Sequence, residues 1–199
     1  MRYDSEHKQK TRERIVAEAA RAMRDAGPAQ VGVAAVMSAA GLTHGGFYAH
    51  FANKDALVAA AIARMFEESL RWWARSRQGR EPGAALAHYI DRYLSPEHRA
   101  APGRGCPLAA LAGEPPRLAP PARLAFHTGS QALQAALAEA LAELGRDDPA
   151  GQARALLAEL VGQLTLARAE PDDAQAARSL ARARQFLKQR LGLPGEMQT

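Results

Sequence analysis

Four hydrogen-bonding side chains, Thr43, His44, Tyr48 and His50, fall within eight residues of one another in the stretch LTHGGFYAHF. Interleaved with them are Phe47 and Phe51, four apart and therefore on one face of a helix. If the two phenylalanines pack inward, the four polar groups are left on other faces, where each can bond a phosphate or a base edge. Binding chemistry of that kind needs no nucleophile. The chain offers little else: Cys106 is its only cysteine, and neither His88 nor His127 lies at a spacing that makes it a base for the thiol. A P-loop, a dinucleotide fingerprint and a zinc-spaced His/Cys cluster are all missing, so we expect no catalytic residues, no metal, no cofactor and no enzymatic activity.

The polar set must be held by helices. Gly41 closes one short apolar segment, because glycine adopts the left-handed backbone without a Cβ clash. Thr43 then stands where a hydroxyl can cap the next helix. Two helices joined by a short glycine-containing turn make a helix-turn-helix, whose second helix can enter a DNA major groove. Upstream, residues 4–26 predict a helix with Ile15, Ala19, Ala22 and Met23 on one face and Lys8, Lys10, Arg12 and Arg14 in its opening turns, ended by Gly27 and Pro28. Those basic residues could touch phosphate or simply form a solvated face. Residues 33–40 predict a second, short helix burying Val33, Val36, Met37 and Ala40.

Composition sets the class. Of 199 residues 47% are hydrophobic but only 6% aromatic, alanine dominates and no alternating segment stands out, so the expected fold is all-α with about nine helices. The formal charge of +5 favours a polyanionic partner only modestly. Residues 1–54, however, hold eight Lys/Arg against five Asp/Glu, a net +3 in about a quarter of the chain. One cysteine excludes an internal disulfide, and the absence of a long apolar run leads us to expect a cytoplasmic protein that does not enter a membrane.

The sequence VAAVMSAAGLTHGGFYAHFANKDALVAAA resembles the DNA-binding domain of the TetR family of bacterial transcriptional repressors, over roughly residues 10–62. The resemblance rests on a glycine followed by Thr-x-Gly-x-Phe-Tyr-x-His-Phe-x-x-Lys. It implies that Thr43, His44, Gly45 and Gly46 open a recognition helix, that Tyr48 and His50 contact phosphate, and that Lys54 grips phosphate from the start of the next helix. Where the family usually has a Ser or Thr opening the second helix this chain has Gly32, between Val31 and Val33; a backbone N–H can still meet phosphate there, so Gly32 and Val33 join the expected DNA contacts. The paired glycines either let the backbone approach the groove or let the helix pack closely on its neighbour, and they leave His44 as nearly the only long side chain to read bases.

Beyond the motif, Asn53 and Asp55 open a helix of over twenty residues reaching about Gly79. Residues 83–94 form another, 95–121 are broken by proline and glycine, and long helices cover 121–144, 149–169 and 172–191. We divide the chain by task into a DNA-binding domain, 1–54, and an effector-binding and dimerisation domain, 55–199. The resemblance implies a homodimer through the last two helices, a pseudo-palindromic operator, and release by a small apolar or aromatic effector. Trp72, Trp73, Tyr89, Tyr93 and Phe126 are effector candidates by aromatic character. The segment GCPLAALAGE resembles one that borders the effector cavity in a branch of the family, which adds Cys106. A redox or electrophile sensor acting through Cys106 is the alternative function, and a helical interaction protein that has lost operator binding is a further one.

Overall fold

A computed structural model describes residues 2–194, and the fold is all-helical. Among those residues are nine α-helices: α1 (Arg2–Ala26), α2 (Val33–Ala39), α3 (Lys54–Arg77), α4 (Pro82–Tyr93), α5 (Pro96–Ala100), α6 (Pro107–Ala110), α7 (Pro120–Glu143), α8 (Pro149–Ala169) and α9 (Asp173–Arg190). Short 3-10 turns lie at His44–Ala49, Pro102–Arg104 and Pro115–Arg117. The proline-rich stretch thus folds as a string of single turns: proline opens α5, α6 and the 115–117 turn at N1 or N2, where its missing N–H costs nothing. Two compact units result, residues 1–67 with 103–129 and residues 68–102 with 130–199.

In the first unit the apolar stripes converge. Ile15, Ala19 and Met23 of α1, Val36 and Met37 of α2, and Leu57, Ala61, Ile62 and Met65 of α3 are at most 2% exposed and join Phe47 and Phe51 in one core. Neither α2 nor the 44–49 turn is long enough to be stable alone, so this burial is what holds them. Gly41 carries φ +67°, so the chain leaves α2 in the left-handed conformation and turns within three residues to His44. At the far side of the unit Gly129 touches Phe66 so closely that an added Cβ would lie 2.3 Å from the ring. Phe126, one turn earlier, meets Phe66 edge-on at 5.4 Å.

The second unit is organised by α8 and α9, whose inner faces bury Leu156, Leu160, Leu164, Leu180 and Leu187. Arg99 fastens the junction between them. Its guanidinium donates to the Ala167 carbonyl at 2.6 Å, the Glu170 carbonyl at 2.7 Å and Asp173 Oδ1 at 2.6 Å, satisfying acceptors that α8 leaves open at its C-terminus. Asp172 caps α9 by accepting from the N–H groups of Ala174 and Gln175. Lys188, 3% exposed, donates to both oxygens of Asp91 on α4 at 2.8 and 3.1 Å, which ties α9 to α4. Among the described residues no helix is long and apolar enough to cross a membrane, and no three His, Cys, Asp or Glu side chains are grouped as metal ligands.

Candidate nucleic-acid interface

Phe47 and Phe51 decide how the motif is presented. Their rings stack at 5.7 Å and 22°, 2% and 4% exposed, and fix the 44–49 turn to the core. Full burial of each ring stabilises that attachment by about 2 to 3 kcal/mol. Tyr48, next to Phe47, has its ring 5.3 Å away and at 75°, yet is 71% exposed. A tyrosine serving the core would not stand so far out of it. Thr43, His44 and Gly45 are exposed, and Gly46 and His50 are half-buried.

Two local expectations change. The segment forms a six-residue 3-10 helix. Two adjacent glycines supply the weakest α-helical propensity short of proline, so the tighter turn wins. Thr43 does sit at the N-cap with extended backbone, but its hydroxyl makes no capping bond. The Gly46 N–H that it would reach is already given to the Thr43 carbonyl at 3.1 Å, the i to i+3 bond of the 3-10 turn. The hydroxyl is left for an outside partner.

The glycines differ in surroundings. A Cβ built on Gly45 meets nothing within 4 Å, so no neighbour within the described chain requires glycine there. One built on Gly46 would make ordinary contacts with Met37 Cε at 3.7 Å and Thr43 Oγ1 at 3.8 Å. Gly32, the N-cap of α2, is exposed with open space where a side chain would be, and Val33 beside it is half-buried. Asn53 opens α3 as its side chain accepts from Ala56 N–H at 2.8 Å. Lys54 Nζ donates to the Ala29 carbonyl at 3.3 Å, which holds the ammonium near the α1–α2 turn and leaves it further N–H donors. All nine residues proposed from the sequence for DNA contact therefore lie in the first unit, and none is buried.

His50 has a feature that spacing did not reveal. Burial, then the positive charges of Lys8 and Arg12, hold its imidazole below the usual 6.5. Its Nδ1 is buried without a hydrogen-bond partner. Arg12 extends from α1 with its guanidinium carbon 4.8 Å above the Phe51 ring. The i, i+4 spacing of Lys8 and Arg12 was the available sequence signal, but nothing local indicated that this face of α1 meets His50.

Residues 15–61 match the family described as bacterial regulatory proteins, tetR family. The match to the tetR family thus covers the segment that carries the site. No curated protein matches it. Solved structures of TetR-family and related regulators match nearly end to end. The reduced form of E. coli NemR is 21% identical with a TM-score of 0.79, covering 90% of this chain and 96% of that one. A TetR transcriptional regulator from Chloroflexus aurantiacus is 24% identical with a TM-score of 0.79, covering 94% and 96%. A TetR-family regulator from Agrobacterium tumefaciens is 21% identical with a TM-score of 0.78, covering 92% and 98%. At such identities the likeness is one of fold.

The six residues proposed from the sequence for effector contact divide between the units. Trp72, Trp73, Tyr89 and Tyr93 belong to the second, where they pack on each other: Trp72 stacks on Tyr93 at 5.9 Å and 16°, and Trp73 meets Tyr89 edge-on at 5.4 Å. His98 completes the group, 5.2 Å from Trp72 and 4.9 Å from Tyr93. Tyr89 and Tyr93 are fully buried, and the Trp72 indole N–H is buried without a partner. Cys106 and Phe126 belong to the first unit. The Cys106 thiol is 1% exposed, at the N-cap of α6.

Proposed function

We propose that this chain is a TetR-family regulator: a cytoplasmic, homodimeric transcriptional repressor that binds a pseudo-palindromic DNA operator and is released by a small apolar or aromatic effector. The observation that carries the DNA part is the contrast between Phe47, 2% exposed, and Tyr48, 71% exposed, in consecutive positions of a turn that also exposes Thr43, His44 and Gly45. The phenylalanines anchor the turn, and the tyrosine hydroxyl, the threonine hydroxyl and His44 are free to meet phosphates and base edges. Two such turns in a twofold dimer would enter major grooves about 34 to 36 Å apart. The effector part draws on the aromatic group of the second unit and on the unsatisfied Trp72 N–H, a donor that a bound polar atom would satisfy.

Selection of bound fragments from genomic DNA should recover an inverted repeat. Tyr48→Ala should weaken binding to that repeat about tenfold, the loss of a phosphate contact of about 1.4 kcal/mol, while leaving thermal stability unchanged because the side chain is exposed. A Tyr48→Ala protein that binds as tightly as the wild type would remove the phosphate role. The sensor alternative through Cys106 has weaker support, since a thiol 1% exposed is shielded from attack.

A further inference from the structure

α1 and α3 leave a cleft of about 390 Å³ between them, within the first unit. Its floor is small and apolar: Val16, 7% exposed, from α1, and Ala60 and Ala63 from α3. The room exists because α3 carries alanine at both positions, where a longer side chain would fill it. Both signs of charge line the walls, Arg12 and Glu13 on the α1 side and Arg64 and Glu67 on the α3 side, so the lining is balanced. Arg12 and Glu13 do not compensate one another, because neighbours in a helix do not face each other. Among the described residues Arg12 has no carboxylate partner and Glu13 no cationic one. Arg12 lies instead over the Phe51 ring at 4.8 Å, and Glu13 accepts from the Gln9 amide at 2.8 Å.

That combination selects an occupant. An apolar molecule would strip water from both charges and return nothing for it. A lone anion would meet Glu13 and Glu67 together with the arginines, and a lone cation would meet the reverse. A molecule with one charge of each sign and a short aliphatic body offsets Arg12 and Glu13 together and covers the alanines. The volume stands near the lower end of the range for cavities that hold small molecules.

We propose that the α1–α3 cleft binds a small zwitterion of the class of the free aliphatic α-amino acids. The Arg12 guanidinium donates to its carboxylate, the Glu13 carboxylate accepts from its ammonium, and Val16, Ala60 and Ala63 receive its side chain. No covalent step is involved. Arg12 also rests on Phe51, which anchors the 44–49 turn, so the occupant touches the support of the exposed polar set. The site belongs to the first unit, whereas the aromatic group belongs to the second, and binding there does not depend on DNA.

The test is a titration of the full isotope-labelled chain with L-leucine, followed by amide correlation spectra. Saturable shifts should appear in α1 around Arg12 and in α3 around Ala63, with a midpoint on the order of 1 mM, as suits a ligand of so few atoms. Isocaproate lacks the ammonium and isoamylamine lacks the carboxylate; each should bind about tenfold more weakly or worse, since each forfeits a charged hydrogen bond. Glu13→Gln should weaken leucine by a similar factor yet leave isocaproate no weaker than in the wild type, a split that loss of structure would not produce. Ala63→Leu changes an exposed position, so it should keep the melting temperature, but its side chain fills the cleft and should abolish the shifts. Shifts that are absent or do not saturate would overturn the proposal. So would shifts confined to the second unit, isocaproate binding as tightly as leucine, or shifts that persist in Ala63→Leu.

Discussion

His98 shows what one buried histidine contributes to the second unit. Its ring donates from Nδ1–H to the Tyr93 carbonyl at 2.7 Å and lies edge-on to Trp72 and Tyr93. Burial, opposed by the Tyr93 carbonyl and reinforced by Arg168 and Arg92, brings its pKa down to about 4. The unfolded chain takes up this proton near 6.5, so between about 6.5 and about 4 the unfolded state binds more protons and stability rises with pH. The contribution is therefore complete above pH 6.5 and lost as pH falls toward 4. It is on the order of 3 kcal/mol if the unit unfolds in one step. Chemical denaturation across pH 4 to 7 should show this slope, and His98→Gln, uncharged at every pH, should be less stable at pH 7 yet nearly flat across the same range. An equal slope in the variant would assign the acid sensitivity to other groups.

At the scale of elements, the 44–49 turn separates what folding needs from what binding would need. Folding needs Phe47 and Phe51 inside and Gly41 at φ +67°, and the spacing of those residues makes all three legible. Periodicity, glycine and proline likewise place α8 at 149–169 and end α1 at Ala26 before Gly27. The 3-10 geometry was not legible. It depends on whether the Gly46 N–H bonds three or four residues back, a balance that pattern does not encode. Nor was the pairing of His50 with Lys8 and Arg12, which depends on how α1 is rotated against the turn. Division by task at Lys54 and division by packing also differ, because α3 runs past residue 67 and residues 103–129 return to the first unit. Gly45 tests the separation of folding from binding. With nothing within 4 Å of its Cβ position, Gly45→Ala should fold normally and melt no lower than the wild type, gaining up to about 1 kcal/mol from a stiffer unfolded chain. If the glycine is there to let DNA approach the backbone, the same variant should bind several-fold more weakly. Unchanged affinity would show that the methyl group fits beside the groove and that close approach is not its role.

At the scale of the whole molecule the question is what covers the outer side of α8 and α9. Leu166 is 70% exposed on α8 and Phe186 64% exposed on α9, and a Cβ on Gly162 would meet nothing within 4 Å. Two large apolar groups so far out of the core cost solubility without a return in packing, unless another surface meets them. A second copy is the occupant that the operator reading requires, since a pseudo-palindrome matches a twofold protein and an isologous contact brings the same helices together. Leu166→Glu with Phe186→Glu should then leave each chain folded, because exposed positions tolerate substitution within about 0.5 kcal/mol. It should also shift the sedimenting species from dimer to monomer. DNA binding follows from the same change: a monomer offers one turn and half of the phosphate contacts, so its salt slope should fall to roughly half that of the wild type. A double variant that sediments as a dimer would move the interface off this face. One that is monomeric but retains the full salt slope would mean that the protomers meet on DNA rather than through α8 and α9.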